Sequence, residues 1–197
     1  MIDYINGEIA ELTPATVTID CNGVGYIANI SLQTYSSIQD KKTAKIYIYE
    51  SVRQDAFVLF GFVDKHEREV FLHLISVSGV GPSTARVMLS SLSSKELESA
   101  IASEDVNILK SVKGIGTKTA QRIIVDLKDK IKLSDTDGAT TTAKSASSVP
   151  ALGQEAISAL VMLGFTQNNS QKVITKVLKE NPSATVEVII KEALKRL

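Results

Sequence analysis

The sequence predicts an α+β chain of several domains: a small five-stranded β-barrel, an all-α domain built on a repeat, and a short three-helix domain. Three observations predict it. Apolar residues alternate with period two through much of the first sixty positions. Helical spacing then takes over, and a twelve-residue pattern containing Gly-x-Gly recurs at an offset of 35 residues. A Ser/Thr/Ala/Gly-rich stretch at 134–149 then separates the C-terminal segment.

The alternation is clearest in two places. Ala15, Val17, Ile19 and Cys21 fall on one face, with Thr16, Thr18 and Asp20 on the other. Ala44, Ile46 and Ile48 oppose Lys45, Tyr47 and Tyr49. Met1–Leu12, Val24–Ile30 and Ala56–Phe62 supply three more strands, and Asn22-Gly23 is a hairpin signal. Leu32–Ile38 reads as a short helix between the third and fourth strands. So few strands avoid open edges most economically by closing into a barrel, and this order is that of an OB-fold. The barrel domain is assigned to residues 1–63.

Helices begin at Asp64, which is spaced from Glu67 as a capping box ahead of Val70, Phe71, Leu74 and Ile75. Ser93 and Glu96 repeat that pattern before Leu97, Ala100 and Ile101. The helical domain is assigned to 64–133. Residues 134–149 have almost no large apolar side chain, so burial cannot offset the entropy of ordering them, and a flexible linker is expected. Residues 150–197 carry three apolar stripes: Ile157, Leu160, Val161 and Leu163; Val173, Ile174, Val177 and Leu178; Val186, Ile189, Ile190, Ala193 and Leu194. They predict a three-helix, UBA-like domain.

The 197 residues hold 44% apolar and 22% charged residues, ordinary for a globular chain. No run suits a membrane span, and no export signal is read at Met1-Ile2-Asp3-Tyr4, so a cytoplasmic protein is expected. The single cysteine, Cys21, excludes an intramolecular disulfide. Net charge is zero, but it is segregated. Residues 1–64 carry four Lys/Arg against eight Asp/Glu, a net of −4. Residues 110–132 carry seven Lys/Arg against Asp126 and Asp129, a net of +5. A basic segment of this kind attracts phosphate.

The repeat lies inside that chemistry. Leu74 to Ala85 overlies Leu109 to Ala120, with Leu, Ser, Val, both glycines, Thr and Ala coinciding. Each unit reads as helix, glycine hairpin, helix. Glycines let a ligand approach the main chain, and the hairpin presents amides at the start of the second helix. Those amides lack intrahelical acceptors, and the helix dipole makes them attractive to phosphate. Contacts of this kind grip a backbone without reading bases. Candidate DNA-binding residues are Gly79, Val80, Gly81, Ser83, Thr84 and Arg86 in the first unit. In the second they are Lys113, Gly114, Ile115, Gly116, Lys118, Thr119 and Arg122. Ser83 occupies the place of Lys118, so the first hairpin relies on amides, hydroxyls and Arg86. The pattern is the helix-hairpin-helix motif of DNA-binding proteins. Plain turn glycines seldom repeat with matched flanks, and a nucleotide loop is disfavoured because neither Gly-x-Gly follows a strand.

With these elements in place, the chain resembles the RuvA family over its whole length. The resemblance rests on the tandem hairpins and on Asn22-Gly23-Val24-Gly25-Tyr26, Val52-Arg53-Gln54-Asp55-Ala56, Leu59-Phe60-Gly61-Phe62 and Glu67-Arg68. It is supported by Ala159-Leu160 and Leu163-Gly164-Phe165. The resemblance implies a homotetramer that holds a four-way (Holliday) junction open and square-planar, with a second tetramer able to cover the other face. It implies recruitment of RuvB, the ATP-driven motor, by the third domain, and sharing of the junction with RuvC, the resolving nuclease. It implies no catalytic residue, no metal and no cofactor in this chain. An acidic pin near the junction centre is implied on the loop joining the last two strands, here Arg53, Gln54 and Asp55. The family's usual pair of carboxylates there is reduced to Asp55. Leu163, Phe165 and Ile190 are candidates for docking the motor.

Other residues carry less. His66, Glu69 and His73 share a helix face, but two histidines and one carboxylate are too few for an ordinary metal site. Cys21 is expected as a buried structural thiol. Tyr47 and Tyr49 suit either base stacking or a barrel or subunit contact. The rival functions are a generic duplex binder within a repair enzyme, a nuclease or glycosylase, and a protein scaffold.

Overall fold

Closure of the barrel follows from strand order. The computed structural model describes residues 1–134, 151–181 and 184–197. Strands β1 (Tyr4–Leu12), β2 (Thr16–Cys21), β3 (Val24–Ile30), β4 (Thr43–Val52) and β5 (Phe57–Phe62) form a closed barrel in the order β1-β2-β3-β5-β4, and β4 pairs back onto β1. Only β3 and β5 run parallel. Helix α1 (Leu32–Ile38) lies between β3 and β4, which completes the OB-fold order. Asn22 and Gly23 both take positive φ, and Asp20 Oδ1 accepts from Gly23 N at 2.7 Å, so the Asn-Gly signal marks a real hairpin.

Of the alternating residues Val17, Ile19, Ala44, Ile46 and Ile48 are buried, as are Ala28 and Ile30 on β3, whereas Ala15 precedes β2 and is exposed. Gly61 marks a close approach inside the barrel. A Cβ there would lie 2.7 Å from Ile46 Cγ2 and 3.2 Å from Ala28 Cβ. Cys21 departs from expectation. It is half-buried at the end of β2 and shares a polar cavity with Asn6, Glu8 and Asp20. Strand alternation weakens at an edge position, where the next residue is already turning.

Helices α2 (Lys65–Ile75), α3 (Pro82–Ser91), α4 (Ser94–Ala102), α5 (Val106–Ser111) and α6 (Thr117–Ser134) follow β5. Phe71 of α2 is fully buried against Tyr49, Phe60 and Phe62, with ring centroids 5.3, 5.4 and 4.8 Å away. One apolar core therefore runs from the barrel wall through α2 to Ile131 on α6. Barrel and helices belong to one compact unit, and α7 (Ala151–Met162), α8 (Gln167–Glu180) and α9 (Val186–Leu194) belong to another. Ser134 ends α6, and the remainder of the expected linker lies outside the described residues.

The two capping boxes differ. Ser93 and Glu96 form the complete reciprocal box. Asp64 caps α2 through Glu67 N at 2.7 Å, but the Glu67 carboxylate does not return to the N-cap. It is buried toward the barrel instead.

Candidate nucleic-acid interface

The two glycine hairpins have the same backbone. Gly79 and Gly114 sit at φ +94° and +93°, a conformation that residues with a Cβ rarely adopt. One residue later, Val80 N donates to Val77 O at 3.0 Å, and Ile115 N to Val112 O at 3.1 Å. Ala85 N donates to Gly81 O and Ala120 N to Gly116 O, both at 2.9 Å, closing the first turns of α3 and α6. Val80 and Ile115 are buried, so they anchor each hairpin to the core, while the four glycines stay exposed. No atom beyond the adjoining residues lies within 4 Å of a Cβ built at any of the four. Their smallness is therefore not demanded by internal packing at these positions; what it leaves clear is the outer surface.

The amides that precede the first intrahelical bond have no acceptor within their helix. In α3 these belong to Ser83 and Thr84, because Pro82 has no N–H and Gly81 offers no capping side chain. In α6 they belong to Thr117, Lys118 and Thr119. Lys113, Lys118 and Arg122 are exposed around the second hairpin. Ser83 is exposed and Thr84 half-buried at the first. Arg86 is placed differently from the expectation. Its Nη1 donates to Ala15 O at 3.1 Å and to Asn29 Oδ1 at 3.0 Å, so this guanidinium reaches the barrel. It lies one turn into α3, where helical rotation carries a side chain away from the hairpin tip. Lys128, from the same basic segment, is paired with Glu104.

Arg53, Gln54 and Asp55 are exposed at the tip of the β4–β5 hairpin. That hairpin extends beyond the strand expected from sequence: Val52 pairs with Phe57, and Arg53 N donates to Ala56 O at 2.8 Å. Both apolar residues are exposed, Val52 at 70% and Phe57 at 60%, so the tip stands clear of the core. Glu50 lies away from the tip. Its Oε1 accepts from Ile2 N at 3.0 Å, and its other oxygen lies 3.9 Å from the terminal amine. Asp55 is the only carboxylate in the tip segment Arg53–Ala56.

The comparisons with known proteins agree along the chain. Residues 1–61 match the RuvA N terminal domain, 71–129 the SAM-like Helix-hairpin-helix tandem, and 151–197 the RuvA, C-terminal domain. A Bacteroides thetaiotaomicron protein named Holliday junction branch migration complex subunit RuvA is 61% identical over 204 residues, with all of both chains covered. Proteins of the same name from Bacteroides fragilis and Christiangramia forsetii are 58% and 50% identical, again over the whole of both chains. The chain belongs to the RuvA family.

Within this RuvA-family chain the C-terminal unit has its own core of Ala156, Ile157, Leu160, Ile174, Val177, Ala184, Ile189 and Ala193. Of the docking candidates, Leu163 is 60% exposed, whereas Phe165 and Ile190 are partly buried against that core. Val161 and Met162 are exposed beside Leu163, so the first apolar stripe turns outward at its end. Val161 and Met162 lie within α7 and Leu163 N still donates to Ala159 O at 3.1 Å, so the outward turn reflects which side of the helix its core covers, which spacing does not give.

Both tyrosines make contacts within the unit of barrel and helices. Tyr49 packs on Phe60 and Phe71, and Tyr47 lies edge-on to Tyr4 beneath Lys45 and Arg68. Arg68 also donates to Asp3 Oδ1 at 2.7 Å, and this bond holds the Asp3 carboxyl below the usual carboxylate range. His66 Nε2 lies 3.2 Å from Glu98 Oε2. Among the described residues no group of three His, Cys, Asp or Glu is placed to hold a metal. None of their helices is long and apolar enough to cross a membrane.

Proposed function

We propose that this chain is the junction-binding subunit of a branch-migration complex, acting in recombination and repair of DNA. The observation that carries the reading is the pair of congruent glycine hairpins, each presenting free helix-start amides to an open surface. That arrangement suits phosphate backbones and carries no means of reading base sequence. Gly79, Val80, Gly81, Ser83 and Thr84 form one grip. Lys113, Gly114, Ile115, Gly116, Lys118, Thr119 and Arg122 form the other. Arg86 serves the barrel seam in this reading, not the phosphate.

The Arg53-Gln54-Asp55 tip acts as the pin. A carboxylate set among crossing phosphates repels them and disfavours continuous duplex. Four copies of the chain, one per arm, hold the junction open. The barrel occupies 1–63, the hairpin domain 64–133 and a tethering linker 134–149. The domain at 150–197 docks an ATP-driven motor of the RuvB class through the surface around Leu163. The chain supplies no catalysis and works in the cytoplasm, where RuvC-type resolvases meet the same junction.

The test is competition. Labelled four-way junction bound by the full chain is challenged with unlabelled junction and with linear duplex. Displacement by junction at far lower concentration supports the reading, and equal displacement contradicts it. A second reading, a generic duplex binder, draws on one observation: with Gln54 in the tip and Glu50 tied to Ile2, the pin holds a single carboxylate.

A further inference from the structure

The pin and the hairpins sit on different parts of the same unit, the barrel and the helices. Three charged side chains from the helices form hydrogen bonds across the seam between them. Arg68 reaches Asp3 and Ile48 O, and Arg86 reaches Ala15 O and Asn29. Glu67 is the most buried of the three, at 4% exposure. Its Oε1 accepts from Ser31 Oγ at 2.5 Å, and its Oε2 accepts from Thr34 Oγ1 at 2.6 Å and Val63 N at 3.2 Å. Ser31 caps α1, Thr34 lies on α1, and Val63 follows β5. One carboxylate thus ties α2 to α1 and to the exit of the barrel.

Every partner is neutral, and the nearby charge, Asp64, is of like sign, so burial pushes the Glu67 carboxyl up. A well-packed apolar side chain fills such a place at lower cost. What a carboxylate adds is direction: its oxygens fix the bearings of three donors at once. The apolar rings around Phe71 hold the two parts together without the directional constraint that hydrogen bonds add.

We propose that Glu67 is a positioning residue that sets the bearing of the glycine hairpins relative to the β4–β5 tip. The inference rests on the junction-binding reading above. Two contact elements on one rigid body bind jointly only when their separation and angle match the ligand. A junction engages hairpins and pin together, whereas a duplex engages hairpins alone. The Glu67 clasp therefore governs junction preference and leaves duplex affinity nearly untouched.

The experiment measures junction and duplex affinity of the full chain, Glu67→Ala, Glu67→Gln and Thr34→Val, with thermal unfolding run alongside. Glu67→Ala is expected to lose roughly tenfold or more of junction affinity, as joint engagement fails, with duplex affinity within about twofold. Thr34→Val, which keeps the shape and removes one donor, is expected to show a smaller loss in the same sense. Glu67→Gln retains an acceptor and is expected to restore most of the preference. Folded Glu67→Ala and Thr34→Val proteins with the parental junction preference would overturn the inference. So would equal loss on both DNAs, or a Gln variant no better than Ala. Equal affinity of the unaltered chain for both DNAs would instead overturn the functional reading, and this inference with it.

Discussion

Gly79 and Gly114, thirty-five residues apart, hold the same left-handed backbone to within one degree, φ +94° and +93°. Two further glycines, Gly81 and Gly116, follow them at the same spacing but without positive φ. The pairs therefore have separable roles. Gly79→Ala and Gly114→Ala force a Cβ into the left-handed region and should each cost about 1–2 kcal/mol of stability. Gly81→Ala and Gly116→Ala meet no protein atom beyond the adjoining residues within 4 Å and should unfold as the parent does while binding DNA more weakly. Thermal unfolding and a binding titration on the four variants check this; unimpaired DNA binding by Gly116→Ala would remove close main-chain approach from the account.

The hairpins also differ in charge. Each phosphate contact made by a lysine contributes about one unit to the slope of log affinity against log salt. Lys118→Ala should reduce the slope by about one unit. Ser83→Lys, at the matching place on the first hairpin, should raise it by about one. Titrations at several salt concentrations read both, and unchanged slopes would take these positions off the contact surface.

At the β4–β5 tip, Asp55→Asn should reduce the preference for junction over duplex, since it removes the tip's carboxylate. Gln54→Glu should increase that preference by adding a second. Glu50→Gln should change it little, because Glu50 is bound to Ile2 N well away from the tip. Affinity ratios for the three variants provide the check; a Glu50 effect as large as that of Asp55 would put the charge in the wrong place.

Burial raises the Glu67 carboxyl above the ordinary glutamate value of about 4.3. The folded state then binds this proton more tightly than the unfolded state. Stability from Glu67 is fully present below the ordinary value and is lost as pH rises through the raised one. Glu67→Gln should flatten that part of the stability–pH curve. Denaturant unfolding at a series of pH values rising from below the ordinary glutamate value measures it, and parallel curves for parent and variant would contradict the assignment.

Much of this was legible in the residues themselves. Alternation placed β2 and β4 because one face of each is buried, and the Asn22-Gly23 turn declared its own geometry. The offset repeat located both hairpins because close main-chain approach leaves glycines as its mark. What escaped was direction. Arg86 sits one turn beyond the hairpin, and sequence spacing does not say that the barrel's Ala15 and Asn29 wait on that side. Glu67 read as the partner of Asp64 in a capping box, a local role, because Ser31 and Thr34, which it binds, are more than thirty positions away. Val161 and Leu163 belonged to an apolar stripe by spacing, yet both are exposed, because spacing does not say which side of α7 the core covers.

The central claim, that paired neutral and basic hairpins recognise an open four-way junction, is tested most directly by titrating the full chain against a synthetic junction and a linear duplex of the same sequence at two salt concentrations. Strong preference for the junction, with affinity falling as salt rises, is the predicted result. Equal binding to both DNAs, or junction affinity indifferent to salt, would contradict it.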